Sequence, residues 1–574
     1  MLICGLKLTH DGAVALLDGN RLVFSVEIEK RANGRRYSDI SDLSLVGEIL
    51  ADFGYKPQDV DEWVVDGWDG DSTWRLALKD HGAPTEIEVG PYRESEACPD
   101  LIRPGFSGEF TMGGNRYPYT SFAHAAGHVA STYCSSAFAA RQEPSFVLIW
   151  DGGLFPRLYW VDPAEGVTNL GELFPLIGHS YAIAGHHFGP FRRETQSPTV
   201  DDLTVAGKLM AYIALGRVRA DVVEILAEEF HRVFESDLPS AVEYRRAVGG
   251  FGSLFEPSVP PVLEFYGAVR TRSDELGASD EDVLASIHQF LEDLLVSRVA
   301  EKIRAFRGEG SWNLAFAGGC ALNIKWNSAL RDAPEVREMW VPPFPNDSGS
   351  AIGAAALGLI QHDGLTALDW HPRLGPALLP TPEVPQGWSA TPCDTRELAR
   401  VLHESGAPVV VLDGRAELGP RALGGRSILA APTDPAMKEE LNRVKRRESY
   451  RPVAPICLVE EAPKVFDPGT PDPHMLFDHV VRPDWLEKVP AIVHLDGTAR
   501  LQTVGPQDDA VLAEILTEYH RLSGIPVLCN TSANLNGHGF FPDVASAIGW
   551  GEVDRVWSEG TLYVRDGSQP RKPA

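Results

Sequence analysis

The chain has little cysteine, and its seven thiols (Cys4, Cys98, Cys134, Cys320, Cys393, Cys457 and Cys529) form no CxxC pair. That argues against a disulfide framework and suits reduced thiols in a cytosol. No apolar run approaches the roughly 20 residues that span a bilayer, and the opening MLICGLKLTHDG lacks the basic start of a signal peptide. We therefore expect a cytoplasmic protein without a membrane partner. Positive charge is also short: 52 Lys and Arg face 80 Asp and Glu, a formal net charge of −28. Such a balance works against a broad nucleic-acid or anionic-membrane surface, although local basic pockets remain allowed.

What is present fits a globular protein. The 574 residues suffice for two to four domains, and 44% apolar with 23% charged content is ordinary. ICGLKLT (2–8) reads as a buried strand, followed by a turn at His10-Asp11-Gly12. AVALLDGNRLVFSVEIEK reads as a hairpin around Asp18-Gly19-Asn20. A helix is expected at 42–53, a strand at 62–68 and loops over 69–120. SFVLIWDGG (145–153) then repeats the pattern of strand, acidic-glycine turn and strand. Residues 217–310 read as mainly helical. WNLAFAGGCALN and MWVPPFPNDSGSAIGAAALG each place a strand before a small-residue turn and a helix. Strand-hairpin units with Gly-rich turns in two halves suggest a duplicated α/β nucleotide-binding domain of the actin and sugar-kinase type.

SFAHAAGHVASTYCSS places His124 and His128 four residues apart, on one face of a helix. Such a pair can grip a divalent metal with carboxylates from elsewhere, Asp151 and Asp347 being available, or it can be ordinary core histidine. The spacing alone leaves both open. A zinc protease would need HExxH, and residue 125 is Ala.

The Pro- and Gly-rich stretch 361–390 marks a domain boundary. Beyond it, cations gather among glycines and small polar groups: Arg415, Arg421 and Arg426, then Arg443, Lys445, Arg446, Arg447 and Arg451, then Arg500, with Asn530, Thr531 and Ser532 following. Arginine meets phosphate and carboxylate through two parallel hydrogen bonds, so the cluster suggests a small anionic ligand. A solvated basic helix face accounts equally well for 443–447.

The run GPRALGGRSILA, with ESYRPVAP and VLCNTSAN behind it, resembles the nodulation-protein-U and cephem O-carbamoyltransferase family. THDGAVAL, HAAGHVAS, WDGG, GKLMAYIALG, AGGCALN and PPFPNDSGSAIGAA match in the family's order. The resemblance implies an α/β protein. Its actin-like (ASKHA) duplicated domain, similar to the threonylcarbamoyl-adenosine tRNA-modifying enzymes, would cover 1–362. A linker (363–388) and a YrdC-like α/β domain (389–574) would follow. It implies that carbamoyl-adenylate is made from carbamoyl phosphate and ATP with Mg²⁺. The carbamoyl group then passes to a hydroxyl of a small-molecule acceptor, as in antibiotic biosynthesis.

By motif match Arg421, Lys445, Arg451, Arg500, Asn530 and Ser532 would hold carbamoyl phosphate and ATP. His10 would be the catalytic base. His124, His128, Asp151 and Asp347 would hold a divalent metal, Fe²⁺ by resemblance. Gly152, Gly153, Gly318, Gly319, Asn323 and Lys208 would surround the nucleotide. Arg35 stands where the family has lysine and would touch the acyl group. The chain departs from the family in having HAAGH for HHLAH and Gly425 for Gln. Family acceptors include aminoglycosides, cephems, ansamycin macrolactams, aminocoumarins and lipochitooligosaccharides. The apolar stretch 170–192 favours an ansamycin-type macrolactam, and the acidic charge favours a polycationic aminoglycoside; an aminoglycoside or other sugar hydroxyl is the alternative acceptor. A sugar kinase or an ATP-regulated binding module on the same fold are the competing readings, and neither explains the Arg-rich second domain. The net charge weighs against tRNA as a partner.

Overall fold

The computed structural model describes residues 1–31, 33–70, 73–94, 100–193, 202–248, 253–381 and 383–568. The fold is mixed α/β with several sheets. Cys98 lies outside the described residues. No described helix is long and apolar enough to cross a membrane. The chain divides into two compact units: Met1–Val23 with Asp39–Trp370, and Phe24–Ser38 with the chain from His371 onward.

The first unit has two main sheets. One contains β1 (Leu2–Lys7), β2 (Ala13–Asp18), β3 (Arg21–Glu27) and β4 (Glu62–Val65). The hairpin β5 (Trp74–Asp80) and β6 (Ala83–Val89) follows, then β7 (Phe106–Met112) and β8 (Asn115–Ser121), which return to the first sheet in the order β3-β2-β1-β4-β8-β7. The second sheet contains β9 (Ser145–Ile149), β10 (Arg157–Asp162), β11 (Gly166–Glu172), β12 (Trp312–Ala317) and β13 (Val336–Trp340), ordered β11-β10-β9-β12-β13. In each, the opening strand pairs antiparallel with the next and parallel with a later one: β1 with β2 and β4, β9 with β10 and β12. The two halves thus repeat one topology. Helices fill the excursion between β11 and β12, including Ser180–His187, Phe255–Glu275 and Asp280–Arg307.

The expected loops at 69–120 hold four strands. Their alternation is interrupted by Gly and Pro, which hid it. In β8, Tyr117 and Tyr119 point inward while Pro118 points out, the period of two that a sheet requires.

The second unit is built on an eight-stranded sheet. Its strands are β14 (Trp388–Pro392), β15 (Val409–Leu412), β16 (Arg426–Ala430) and β17 (Ala454–Leu458). A small sheet of β18 (Phe466–Asp467), β19 (His479–Val481) and β20 (Thr498–Ala499) intervenes. Then come β21 (Gln502–Val504), β22 (Val527–Ser532), β23 (Arg555–Ser558) and β24 (Thr561–Arg565). The order is β14-β24-β23-β15-β16-β22-β17-β21. PVVVL has no polar face because both faces of β15 are covered. Val409 and Val411 pack with Leu398, Leu402 and Leu516 of two helices, while Val410 and Leu412 pack with Met437 and Leu441 of a third. The helix Thr395–Ser405 begins where Asp394 accepts a hydrogen bond from the Glu397 amide, and it ends at left-handed Gly406.

The division differs from a break across 363–388 in two respects. It falls between Trp370 and His371, and residues 24–38 group with the C-terminal unit. Part of the expected linker is packed chain: Gly375 N donates to Ala416 O, and Leu418 N to Pro372 O.

Candidate active site

In the first unit the site forms at strand ends. β1 and β4 run parallel, so Lys7 and Asp66 leave their C-terminal ends side by side. β9 and β12 do the same for Asp151 and the Gly318-Gly319 turn. The helix His124–Cys134 crosses against the helix Ser350–Asp363, whose approach carries Asp347. That crossing needs glycine: a Cβ on Gly353 would lie 2.0 Å from the carbonyl oxygen of Gly127. Gly5 is equally constrained, its Cβ position lying 2.0 Å from Ala351 O. Close backbone packing thereby sets the imidazoles of one helix against the carboxylate in the turn that leads into the other.

Ligand atoms of His124, His128, Asp151 and Asp347 all lie within 4.8 Å of one another, and all four residues are buried. His124 Nε2 and His128 Nε2 are each 3.4 Å from Asp347 Oδ1, and His124 Nε2 is 3.8 Å from Asp151 Oδ2. Neither Nε2 makes a hydrogen bond. Two buried carboxylates meeting two buried, unsatisfied imidazole nitrogens form a donor set that fits a divalent cation. The remaining polar atoms orient these groups. Asp66 Oδ2 accepts from His124 Nδ1 at 2.8 Å and from Lys7 Nζ at 3.0 Å. Lys7 Nζ lies 2.8 Å from Asp347 Oδ2. Tyr92 Oη donates to Asp151 Oδ2 at 2.9 Å, and the Gly319 amide to Asp151 Oδ1 at 2.8 Å.

These contacts set the charge states. Burial would raise the Asp347 carboxyl, but Lys7, His124 and His10 hold it well below the ordinary range. Burial and the Asp347 charge push the Asp151 carboxyl up; His124 and His128 outweigh them and leave it lowered. Burial, then the charges of Asp151 and Asp347, lift the Tyr92 phenol far above its ordinary value, so it stays a donor.

His10 stands at the rim. Its Nδ1 is 3.1 Å from Asp11 Oδ2, its Nε2 is 3.6 Å from Asp347 Oδ2, and its ring packs edge-on against Trp68 at 5.1 Å. Burial lowers its pKa, while Asp347 and Asp11 more than restore it, leaving it above the ordinary value.

Of the residues expected around a nucleotide, Gly318 has φ +90 and no room for a Cβ, which would sit 2.4 Å from Trp150 O. Open space surrounds a Cβ on Gly152, whereas one on Gly153 would lie 2.7 Å from Ser253 Oγ. Asn323 caps the helix Ile324–Arg331 through the Lys325 and Trp326 amides, and its side chain meets His288. Lys208 lies over the Phe191 ring at 5.2 Å.

The second unit gathers cations. Burial, then Arg500, Arg36 and Arg451, pull Arg421 well below its ordinary range. Burial and Arg451 push Arg500 down to about 10; burial, Arg451 and Arg500 push Arg447 down to about 9. Burial also lowers Arg451, with Glu448 and Tyr450 opposing. Cations that disfavour one another's charge are the arrangement an anion neutralises. Lys445 differs: its ammonium donates to Ser532 O at 2.7 Å, Asn534 O at 2.6 Å and Asn534 Oδ1, so it fastens a loop. Ser532 Oγ donates to that same Asn534 Oδ1 at 2.6 Å. Asn530 Nδ2 donates to Ala422 O at 3.1 Å and Gln502 Oε1 at 2.8 Å, while its Oδ1 is buried without a hydrogen bond. Arg415 and Arg426 donate to backbone carbonyls. Arg443 and Arg446 are exposed and pair with Glu552, the solvated face that 443–447 also allowed. Arg35 is exposed, its backbone bridging to His538, whereas Arg36 faces the cation cluster.

Sequence reasoning missed Lys7, Asp66, Tyr92 and Glu417, and of the pair Arg35-Arg36 it chose Arg35. The available signal was a charge ending an otherwise apolar strand, as in LICGLK and EWVVD.

The chain matches the family model described as Carbamoyltransferase N-terminus over residues 2–102 and 107–356, and Carbamoyltransferase C-terminus over 399–556. It is 50% identical over 567 residues to Nodulation protein U of Rhizobium tropici, covering 99% of this chain and 96% of that one. It is 31% identical over 576 residues to the 3'-hydroxymethylcephem-O-carbamoyltransferase of Streptomyces clavuligerus, covering 98% and 99%. Among solved structures, the activator of the 2-hydroxyisocaproyl-CoA dehydratase from Clostridium difficile aligns over 63% of this chain and 95% of its own, at 12% identity and a TM-score of 0.33.

Proposed function

The chain belongs to the carbamoyltransferase family and is a transferase, and from this premise we propose that it carbamoylates a hydroxyl in two steps, with a different unit responsible for each. The crowding of Arg36, Arg421, Arg447, Arg451 and Arg500 carries the first step. Carbamoyl phosphate and Mg²⁺-ATP bring the negative charge that such a cluster needs. Water attacks carbamoyl phosphate at phosphorus, releasing phosphate and carbamate. A carbamate oxygen then attacks the α-phosphorus of ATP, and pyrophosphate leaves. In the second step the acceptor hydroxyl attacks the carbamoyl carbon, the bond to AMP breaks, and His10 Nε2 takes the hydroxyl proton. Asp11 holds the opposite nitrogen of that ring. A divalent metal on His124, His128, Asp151 and Asp347, Fe²⁺ by family resemblance, would supply Lewis-acid charge to the nucleotide phosphate.

The repeated topology of the first unit supports the actin-like reading. The YrdC-like assignment of the second unit rests on the motif resemblance. For the acceptor, the macrolactam expectation loses its basis: Leu176, Ile177, Phe188 and the whole Ser180–His187 helix are buried, so their apolarity serves the core. The acidic charge remains, and it supports a cationic acceptor such as an aminoglycoside.

The test is incubation with carbamoyl phosphate, ATP and Mg²⁺. Pyrophosphate, AMP and carbamoyl-adenylate are expected, with carbamate esters on addition of sugar acceptors. Absence of pyrophosphate across a panel of alcohols and sugars refutes the two-step reading, and ADP formed with a sugar would mark a kinase.

A further inference from the structure

The loop carrying Arg421 is held from an unexpected quarter of the chain. Glu27 ends β3, and Lys30 sits in the helical turn Ile28–Arg31, 2% exposed; both belong to the second unit. The Lys30 ammonium donates to Glu27 Oε1 at 2.6 Å, Glu417 O at 2.6 Å and Gly419 O at 2.5 Å, which uses all three of its protons. Glu27 Oε1 also accepts from the Gly419 amide at 2.8 Å. Within the loop, the fully buried Glu417 accepts through Oε1 from the amides of Leu423 at 2.8 Å, Gly425 at 2.6 Å and Arg426 at 3.0 Å. One end of 417–426 is therefore tied to Glu27 and Lys30, and its interior is drawn around Glu417, with Arg421 between.

The same segment runs on against the loop after Ser532. Arg36 N donates to Gly537 O at 3.0 Å, and Gly539 N to Gly34 O at 2.9 Å. A Cβ on Gly539 would fall 1.8 Å from Glu29 O, so only glycine allows this approach. The loop that bears Arg421 and the loop that follows Ser532 thus both rest on residues 27–36.

We propose that the Glu27–Lys30 pair is a positioning device for the anion site, which shapes residues 417–426 so that Arg421 meets the phosphate of its substrate. This rests on the reading that the second unit forms the adenylate. A buried ion pair is weak evidence for stability, because desolvation offsets attraction. Here its partners are backbone groups of the Arg421 loop, and that is a shaping role. The adenylate-forming site therefore depends on a segment more than 370 residues upstream of it in the sequence.

The experiment uses full-length Glu27→Gln and Lys30→Gln, with Lys464→Gln on the surface as a control. Calorimetric binding of pyrophosphate, KM and kcat for carbamoyl phosphate in pyrophosphate release, far-UV circular dichroism and metal affinity of the first unit are measured for each. The expected result is at least tenfold weaker pyrophosphate binding and a tenfold higher KM, with kcat changed less and metal affinity within twofold. Folded variants that bind pyrophosphate within twofold of wild type overturn the proposal. So does a wild-type protein that binds no pyrophosphate, and so does loss of the fold in both variants, which would make the pair structural. Wild-type protein that makes no adenylate, yet binds pyrophosphate more tightly than both variants, refutes the two-step reading and leaves the positioning role standing.

Discussion

Replacing Asp66 by Asn perturbs the candidate metal site without touching any of its four proposed ligands. Asp66 Oδ2 accepts from His124 Nδ1 at 2.8 Å and Lys7 Nζ at 3.0 Å. The amide keeps one acceptor oxygen but no charge, so the imidazole loses the carboxylate that fixes its tautomer and strengthens Nε2 as a donor. Outer partners of this kind are worth about 10- to 100-fold in metal affinity, or about 1.4–2.8 kcal/mol. Lys7 keeps Asp347 at 2.8 Å, so no buried charge is orphaned and the apo fold is retained. At metal one hundred times the wild-type Kd, bound metal stabilises wild type by about 2.7 kcal/mol; the variant gains about 1.4 kcal/mol at a tenfold loss and about 0.4 at a hundredfold loss. Anaerobic Fe²⁺ titration against a chelating indicator measures Kd, and thermal unfolding with and without metal measures the gain. Asp66→Asn with wild-type Kd and an undiminished metal-induced rise in Tm would refute the reasoning, as would a wild-type protein that binds no divalent ion.

Lys7→Met leaves Asp66 and Asp347 buried without their shared cation and costs the apo protein about 3–5 kcal/mol; adding a divalent metal recovers part of the loss in Tm, and equal loss with and without metal counts against the site. Gly353→Ala forces the helix of His124 away from the helix that follows Asp347, costing roughly 1–3 kcal/mol and weakening metal binding, whereas Gly207→Ala, a helical position whose Cβ meets open space, leaves metal binding unchanged and does not destabilise the fold. Burial pushes His474 down to about 4, against the pull of Asp472. The unfolded chain binds that proton near pH 6.5 and the folded chain does not, so stability is lost as pH falls from about 6.5 to 4, by about 3 kcal/mol. Denaturant melts across that range should show the slope, and His474→Gln should flatten it.

Local chemistry was enough for much of this protein. The hairpin at Asp18-Gly19-Asn20, the paired strand-and-glycine turns, the helical excursion and the unbroken apolar PVVVL all follow from turn residues and from periods of two and 3.6, which act over a few residues. The i, i+4 spacing put His124 and His128 on one face for the same reason. Which of two explanations applied to that pair was a tertiary matter. Gly127 and Gly353 let two helices touch, and only that approach sets Asp347 3.4 Å from both imidazoles. Tertiary structure also separated arginines that look alike in sequence: Arg415 and Arg426 spend their donors on carbonyls, while Arg421 faces Arg500 and Arg451. Within 170–192, whose apolarity suggested a bulky apolar acceptor, Phe174, Leu176, Ile177 and residues 179–188 are buried in the core, because a hydrophobic stretch reads the same whether a ligand or a neighbouring helix covers it. Lys7, Asp66, Glu27 and Lys30 act through partners as much as 392 residues away. Such partnerships have no local signature, since the energy of a buried charge depends on what surrounds it in space.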